Sequence, residues 1–380
     1  MSWETMKLSE CCFSIADGDH LPPPKADTGI PFVTISNINT TNQFDFTNTM
    51  YVPQEYYDRL DSKRKTQIGD VMYSVVGSFG IPVYIKEAKP FVFQRHIAIL
   101  RPNEKILPRF LYYTMLSKDF YAKADAAAIG AAQRTVSLTA LRNIEIDVPA
   151  IEEQTEIVNI LSAYDDLIEN NQKQIKLLEE AAQRLYKEWF VDLRFPGYEN
   201  TPIIDGVPQG WKRVTLGNIA PILTGKKDAN FGIEDGAYPF FTCSQEPIKA
   251  PSYSFDASAV ILAGNGDFNV KMYRGKFEAY QRTYVLSPNE EKHLFLLYNA
   301  VNESMAVLVK GASGSTIKFL TKGMIESIPM LIPADELLER YNNYSESVQR
   351  KLECLKSATK NATEARDRLL PKLMSGELEV

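Results

Sequence analysis

The chain is poor in the residues that bind metals and build disulfide frameworks. Its four cysteines, Cys11, Cys12, Cys243 and Cys354, form no CxxC pair, and its three histidines, His20, His96 and His293, are scattered. Closely spaced Cys or His pairs are what a zinc site needs, so no metal site is expected and the thiols should be reduced, as in the cytoplasm. Long uncharged runs are also missing. None approaches the roughly 18 apolar residues of a membrane span, and Met1 to Lys7 holds no apolar leader core. There is no GxxxxGK[ST] loop, which excludes ATP-driven translocation by this chain. Nor is there the Gly-rich cofactor loop or the Asn/Asp-Pro-Pro-aromatic tetrapeptide of an adenine methyltransferase; Pro22-Pro23-Pro24 has no aromatic after it. Gly264-Asn-Gly266 lacks the third glycine of a dinucleotide fingerprint, and we read it as a turn. Gly311-Ala-Ser-Gly314 looks like a phosphate cradle, but its counterpart Gly130-Ala-Ala-Gln-Arg-Thr135 lacks the second glycine, so both are read as turns entering a strand. No catalytic residue can be nominated, which favours a binding module over an enzyme.

The net charge of −6 argues at first against a nucleic-acid partner. Its distribution changes that. Residues 150–195 hold ten acids and five bases, residues 334–380 nine acids and eight bases, and the rest of the chain is neutral. Neutral domains are free to present basic faces.

What the sequence does have is a repeat. Trp3 and Leu8 match Trp211 and Leu216, and Pro31-Phe-Val-Thr34 matches Pro239-Phe-Phe-Thr242. Further on, Gly77 pairs with Gly264, Phe93-Gln94-Arg95 with Tyr280-Gln281-Arg282, and Gly130-Ala131 and Thr135-Val136 with Gly311-Ala312 and Thr316-Ile317. Pro149 then matches Pro333, and Arg184-Leu185 matches Arg368-Leu369. The second unit is the shorter, trimmed mostly between positions 37 and 94 of the first. Each unit opens with short β-type runs such as Pro31–Ser36, Asp70–Val76 and Ile97–Leu100, continues through a short helix (Pro108 to about Lys123 in the first), and reaches a proline that opens a long helix.

No Pro or Gly lies between Pro149 and Pro196 or between Pro333 and Pro371, so each helix can run about 40 residues. A heptad seam runs along both. In the first it reads Ile157, Leu161, Tyr164, Ile168, Asn171, Ile175, Leu178, Ala182, Leu185, Trp189. In the second it reads Tyr341, Ser345, Val348, Leu352, Leu355, Thr359, Ala362, Arg366, Leu369, Leu373. Asn171 either fixes register within the seam or marks a frayed, exposed position. Ile160, Leu167 and Ala181 widen the first stripe, for a further partner helix or for the protein's own domains.

Three segments resemble the specificity subunits of type I restriction–modification systems. Pro149-Ala-Ile-Glu-Glu-Gln154-Thr-Glu-Ile157 looks like that family's helix entry, and Leu185-Tyr-Lys-Glu-Trp189-Phe190-Val-Asp-Leu-Arg-Phe195-Pro-Gly197 like its helix exit. Gly210-Trp211 with Leu216-Gly217 resembles its domain start. The second entry, Pro333-Ala-Asp-Glu-Leu-Leu338, departs by lacking the Gln, which leaves open how that half docks its partner. The resemblance implies an α+β fold with two α/β target-recognition domains separated by two long antiparallel coiled-coil helices, in an internal pseudo-twofold repeat. Residues 1–149 and 211–333 would be the domains, 150–195 the first helix, 196–210 a connector, and 334–380 the second helix with its tail. It further implies a non-catalytic subunit reading a bipartite target on double-stranded DNA. Two methylation subunits and motor/nuclease subunits would be its partners, and S-adenosylmethionine, ATP and magnesium would belong to them. Helices of fixed length would set the gap between half-sites.

Phosphate contacts call for Lys and Arg. Candidates are Lys63, Arg64, Lys65 and Arg134 in the first domain, and Lys226, Lys227, Lys271, Arg274 and Lys318 in the second; the plainer alternative for each is a solvated face. Gln94-Arg95 and Gln281-Arg282 recur, and two domains that read different sequences would not share reading residues. We therefore read that pair as structural, for instance a buried bond at a strand end. A non-catalytic coiled-coil scaffold of a defence complex is the alternative function, and a methyltransferase with diverged motifs a third.

Overall fold

The computed structural model describes residues 3–20, 22–39, 41–131, 133–314 and 318–380. The chain divides into two compact units, residues 1–171 with 358–380, and residues 172–357.

In the first unit, four antiparallel strands lie in the order Cys12–Asp17, Ile97–Pro102, Val71–Ser74, Pro82–Tyr84. Val71–Ser74 is buried at all four positions, the apolar and aromatic residues by packing in the sheet interior and Ser74 with its hydroxyl donating to the Ser78 carbonyl (3.0 Å). A second sheet joins Met50–Val52, Ile30–Val33 and Val92–Phe93, the last pair parallel. The short helix expected from Pro108 is two helices, Pro108–Leu116 and Lys118–Ala127. They break at Ser117, whose hydroxyl accepts from the Phe120 N–H (3.2 Å) and so caps the second. Strand Glu4–Lys7 pairs with Glu145–Val148, tying the start of the domain to the residues just before the first long helix.

The second unit repeats this order with Ile222–Thr224, Thr283–Leu286, Phe255–Ala263 and Val270–Ala279. Here Val270–Ala279 is a single ten-residue strand, and its end takes up Phe240-Phe241 in parallel, as Val92-Phe93 takes up Phe32-Val33 in the first unit. One continuous strand thus replaces the two separate strands Pro82–Tyr84 and Val92–Phe93, and two sheets become one of six strands. Part of the shortening of the second unit lies here.

The backbone also corrects the register of the repeat. Ile129 bridges Thr135 and Val76 bridges Thr135; in the second unit Ser313 bridges Phe319 and Asn265 bridges Phe319. Gly130 (φ +97°) therefore corresponds to Gly314 (φ +108°), not Gly311, and Gly77 (φ +69°) to Gly266 (φ +67°), not Gly264. Only the left-handed backbone makes these glycines equivalent, and sequence likeness alone picked their neighbours. Arg134 and Lys318 share one place in this alignment. Thr316 and Ile317, matched on sequence to Thr135-Val136, lie outside the described residues, as do Ser315 and Ala132.

The long helices run Ile151–Tyr186 and Asp335–Met374, 36 and 40 residues or about 54 and 60 Å. The first ends in a π turn, Lys187–Val191, and the second passes Pro371 in its last turn. All twenty seam positions are buried or half-buried, in keeping with a packed stripe. In the first unit Ile157 and Leu161 share a core with Leu370 and Leu373 while Asp165 meets Arg366, so the helices are antiparallel there. In the second, Glu179 meets Lys356 and Phe190 meets Tyr341, again antiparallel.

Candidate nucleic-acid interface

Each compact unit is built onto a helix pair through side chains that the sequence motifs supply. Gln154 is fully buried; its Oε1 accepts from the Leu107 N–H (2.8 Å) and its Nε2 donates to the carbonyls of Lys105 (3.0 Å) and Pro149 (2.9 Å). The motif Gln thus satisfies three backbone groups of its own domain and does not point to a partner. At the matching place in the second unit stands Leu338, buried among apolar residues. The missing Gln there is an exchange of hydrogen bonds for apolar burial, and it reflects how the helix meets its own domain.

The helix-exit motif has an equally local reason. Phe190 meets Tyr341 edge to face (centroids 4.8 Å) and packs at a tilt on Trp211 (5.6 Å), as Phe195 does (4.6 Å). The π turn brings Phe190 into this cluster, so helix exit and domain start form one aromatic core. In the first unit polar contacts flank the shared apolar core: Trp3 Nε1 donates to Glu153 (3.0 Å), Arg109 pairs with Asp166 (3.2 Å), and Lys86 with Glu169. Asn171 is buried in the seam, not frayed, and among the described residues its Nδ2 has no acceptor. Of the residues that widen the first stripe, Ile160 packs on its own domain, while Leu167 and Ala181 stay exposed.

The nominated cations fall into two groups. Lys63, Lys226 and Lys318 are exposed, and among the described residues their amines meet no acceptor. The others are engaged. Arg64 lies 3.7 Å from Asp17, Lys65 donates to the Asp58 carbonyl (2.9 Å), and Arg134 pairs with Asp125 (2.7 Å). Lys227 lies over the Phe231 ring (4.4 Å). Lys271 donates to the Ser244 carbonyl (2.7 Å) and to Asn269, and burial draws its amine below the usual lysine range. Arg274 is held by Glu346 of the second long helix (2.9 Å) and lies over Phe295 (5.3 Å). The structure gives it a role in docking domain to helix.

The recurring Gln-Arg pair turns out to be one residue out of register. Arg95 N donates to Asp19 O and Gln281 N to Lys227 O, both at 3.0 Å, so Arg95 corresponds to Gln281 and His96 to Arg282. Arg95, Gln281 and Arg282 are exposed. What recurs is the backbone turn, not a buried side-chain bond.

The description "Type I restriction modification DNA specificity domain" belongs to the family model that matches residues 2–180 and 208–340. The chain is 40% identical over 179 residues to the type I restriction enzyme EcoDI specificity subunit of Escherichia coli, a match spanning 45% of this chain and 39% of that relative. It is 26% identical over 326 residues to the MjaIX specificity subunit of Methanocaldococcus jannaschii, covering 78% of this chain and 75% of the relative. Among solved structures, the S subunit of a type I restriction-modification system from M. genitalium shares the fold, with a TM-score of 0.64 at 17% identity over 98% of this chain and 96% of that one. With two matched stretches that cover most of its length, each falling on one copy of the repeated unit, the chain belongs to the type I restriction modification DNA specificity family.

Proposed function

We propose that the chain reads a bipartite sequence in double-stranded DNA, one half with each unit, and directs methylation and motor/nuclease subunits to it without catalysis of its own. The observation that carries this is the doubled frame: the same strand order and the same turns occur in both units, each seated on antiparallel long helices. A frame built twice with different side chains suits a split site whose halves differ. Exposed Lys63, Lys226 and Lys318 supply phosphate attraction, which sets affinity and salt dependence but no sequence preference. S-adenosylmethionine, ATP and magnesium enter with the partner subunits in this reading.

Exchanging residues 3–148 for the matching domain of a relative tests it. With the methylation subunits present, one half of the methylated target should change and the other persist. A swap that altered both halves, or neither, would refute modular reading. Turnover of S-adenosylmethionine by the chain freed of partner subunits would refute the non-catalytic assignment.

A further inference from the structure

The second unit holds a groove of about 460 Å³ lined by Gln281, Arg282, Tyr284, Phe319, Thr321 and Lys322, among others. Its floor is tied by the Gly264 N–H to the Arg282 carbonyl, the Leu320 N–H to the Gly264 carbonyl, and the Tyr284 hydroxyl to the Leu320 carbonyl, each at 2.8 Å. Above that floor Gln281 Nε2 donates to Asp228 (2.6 Å) and the Thr321 hydroxyl accepts from the Met324 N–H (3.4 Å), while Arg282 and Phe319 are left open. Arg282 is exposed, and among the described residues its guanidinium makes no hydrogen bond or ion pair. Phe319 is 39% exposed, a large apolar ring left open to water. Lys318 is free beside it, and Lys322 has only an exposed pair with Glu326 at 3.5 Å.

The first unit builds the same backbone and fills it differently. The Val75 N–H donates to the His96 carbonyl (2.8 Å), and the Val136 N–H to the Val75 carbonyl (2.9 Å). Position by position, His96 stands for Arg282, Arg95 for Gln281, Thr135 for Phe319 and Leu138 for Lys322. Where a folding position changes type between the copies, as Gln154 to Leu338 does, both side chains are buried against their own domain, whereas Arg282 and Phe319 lie open. Here the backbone is kept and the open side chains differ, which is what two readers of different half-sites require.

We propose that this groove is where the second unit reads its half-site, with Arg282 contacting a base edge and Lys318 and Lys322 contacting phosphates, and that Arg95 and His96 hold the matching place in the first unit. The inference rests on the DNA reading proposed above. An arginine with unspent donors forms a bidentate pair with the O6 and N7 of guanine, the commonest specific contact in the major groove. Phe319 offers an apolar face suited to a thymine methyl. Lysines as point charges add attraction without choosing a base.

The test is selection from random-sequence duplex DNA by the chain assembled with its methylation subunits. Arg282→Ala and Arg282→Gln should lose preference at one or two adjacent positions of one half, by roughly 5- to 100-fold, and keep the other half intact. His96→Arg should alter the opposite half. Lys318→Ala and Lys322→Ala should weaken binding to all sequences alike and lower the salt slope by about one each. An unchanged motif with both Arg282 variants, or uniform weakening with the motif intact, would overturn the assignment while leaving DNA reading in place. A wild-type assembly that selects no motif would overturn both.

Discussion

Arg366 of the second long helix donates to Asp165 of the first at 2.8 Å, and the same carboxylate accepts the hydroxyl of Tyr113 at 2.7 Å. A polar seam position thus becomes the junction of two helices and one domain. Burial works against the Arg366 charge, but its bonds to Asp165 and Asp367 outweigh this and hold the guanidinium above its usual range. Burial and the neighbouring carboxylate likewise push the Tyr113 phenol up, so it stays a donor.

Asp165→Asn should therefore destabilise the first unit by about 1–3 kcal/mol. The figure is discounted from the buried-pair range because Arg366 and Asp165 side chains remain 20% and 17% exposed. Urea unfolding of the full chain checks it. Asp165→Leu with Arg366→Met should recover part of the loss, since neither charge is then left alone.

Gln154→Leu in the first helix places the second unit's own solution at the matching position. The strands and turns around Gln154 still need their hydrogen bonds, so we expect a loss of about 2–4 kcal/mol from three unsatisfied backbone groups. A loss below 0.5 kcal/mol in chemical denaturation would show that water replaces them.

Asn171→Leu is expected to act in the opposite direction. With its Nδ2 buried and unpaired, replacement by leucine should raise stability by about 1 kcal/mol. The same variant should loosen helix register, read as broadened target spacing in a methylation assay. A destabilised variant would mean that the amide is satisfied in solution.

His293 gives a pH dependence. It is 6% exposed, its Nε2 has no partner among the described residues, and burial draws its pKa below the ordinary histidine value of about 6.5, with Lys292 adding to the effect and Glu290 and Asp335 opposing it. The folded chain binds this proton less readily than the unfolded chain. Stability is then flat above about pH 7.5 and falls as pH drops below about 6.5. His96 is lowered in the same sense. Urea midpoints of wild type and His293→Gln should therefore diverge differently between pH 7.5 and 5.5, with the variant showing the shallower fall. Parallel curves would remove His293 as a contributor.

The repeat, the two long helices and their seam were legible in the sequence, because each depends on local rules. Helices need freedom from Gly and Pro, and a seam needs only a period of three and four. Family membership was legible for the same reason: the motif residues Gln154, Trp189, Phe190 and Trp211 are close in sequence to the helix ends they anchor. What only the tertiary structure decided is the alignment of the two units and the state of each charge. Gly130 matches Gly314 because both adopt a left-handed turn between bridged residues six apart, and the changed residues after the glycine, with a Gly311-Ala312 that imitates Gly130-Ala131, hide that from letter matching. Arg274 and Lys271 looked like free cations, yet Glu346 lies 72 positions from one and Ser244 lies 27 from the other. Arg282 was set aside as structural, and folding leaves it exposed over a groove. A side chain's availability is set by which distant atoms come within about 3 Å of it, and that distance belongs to the fold.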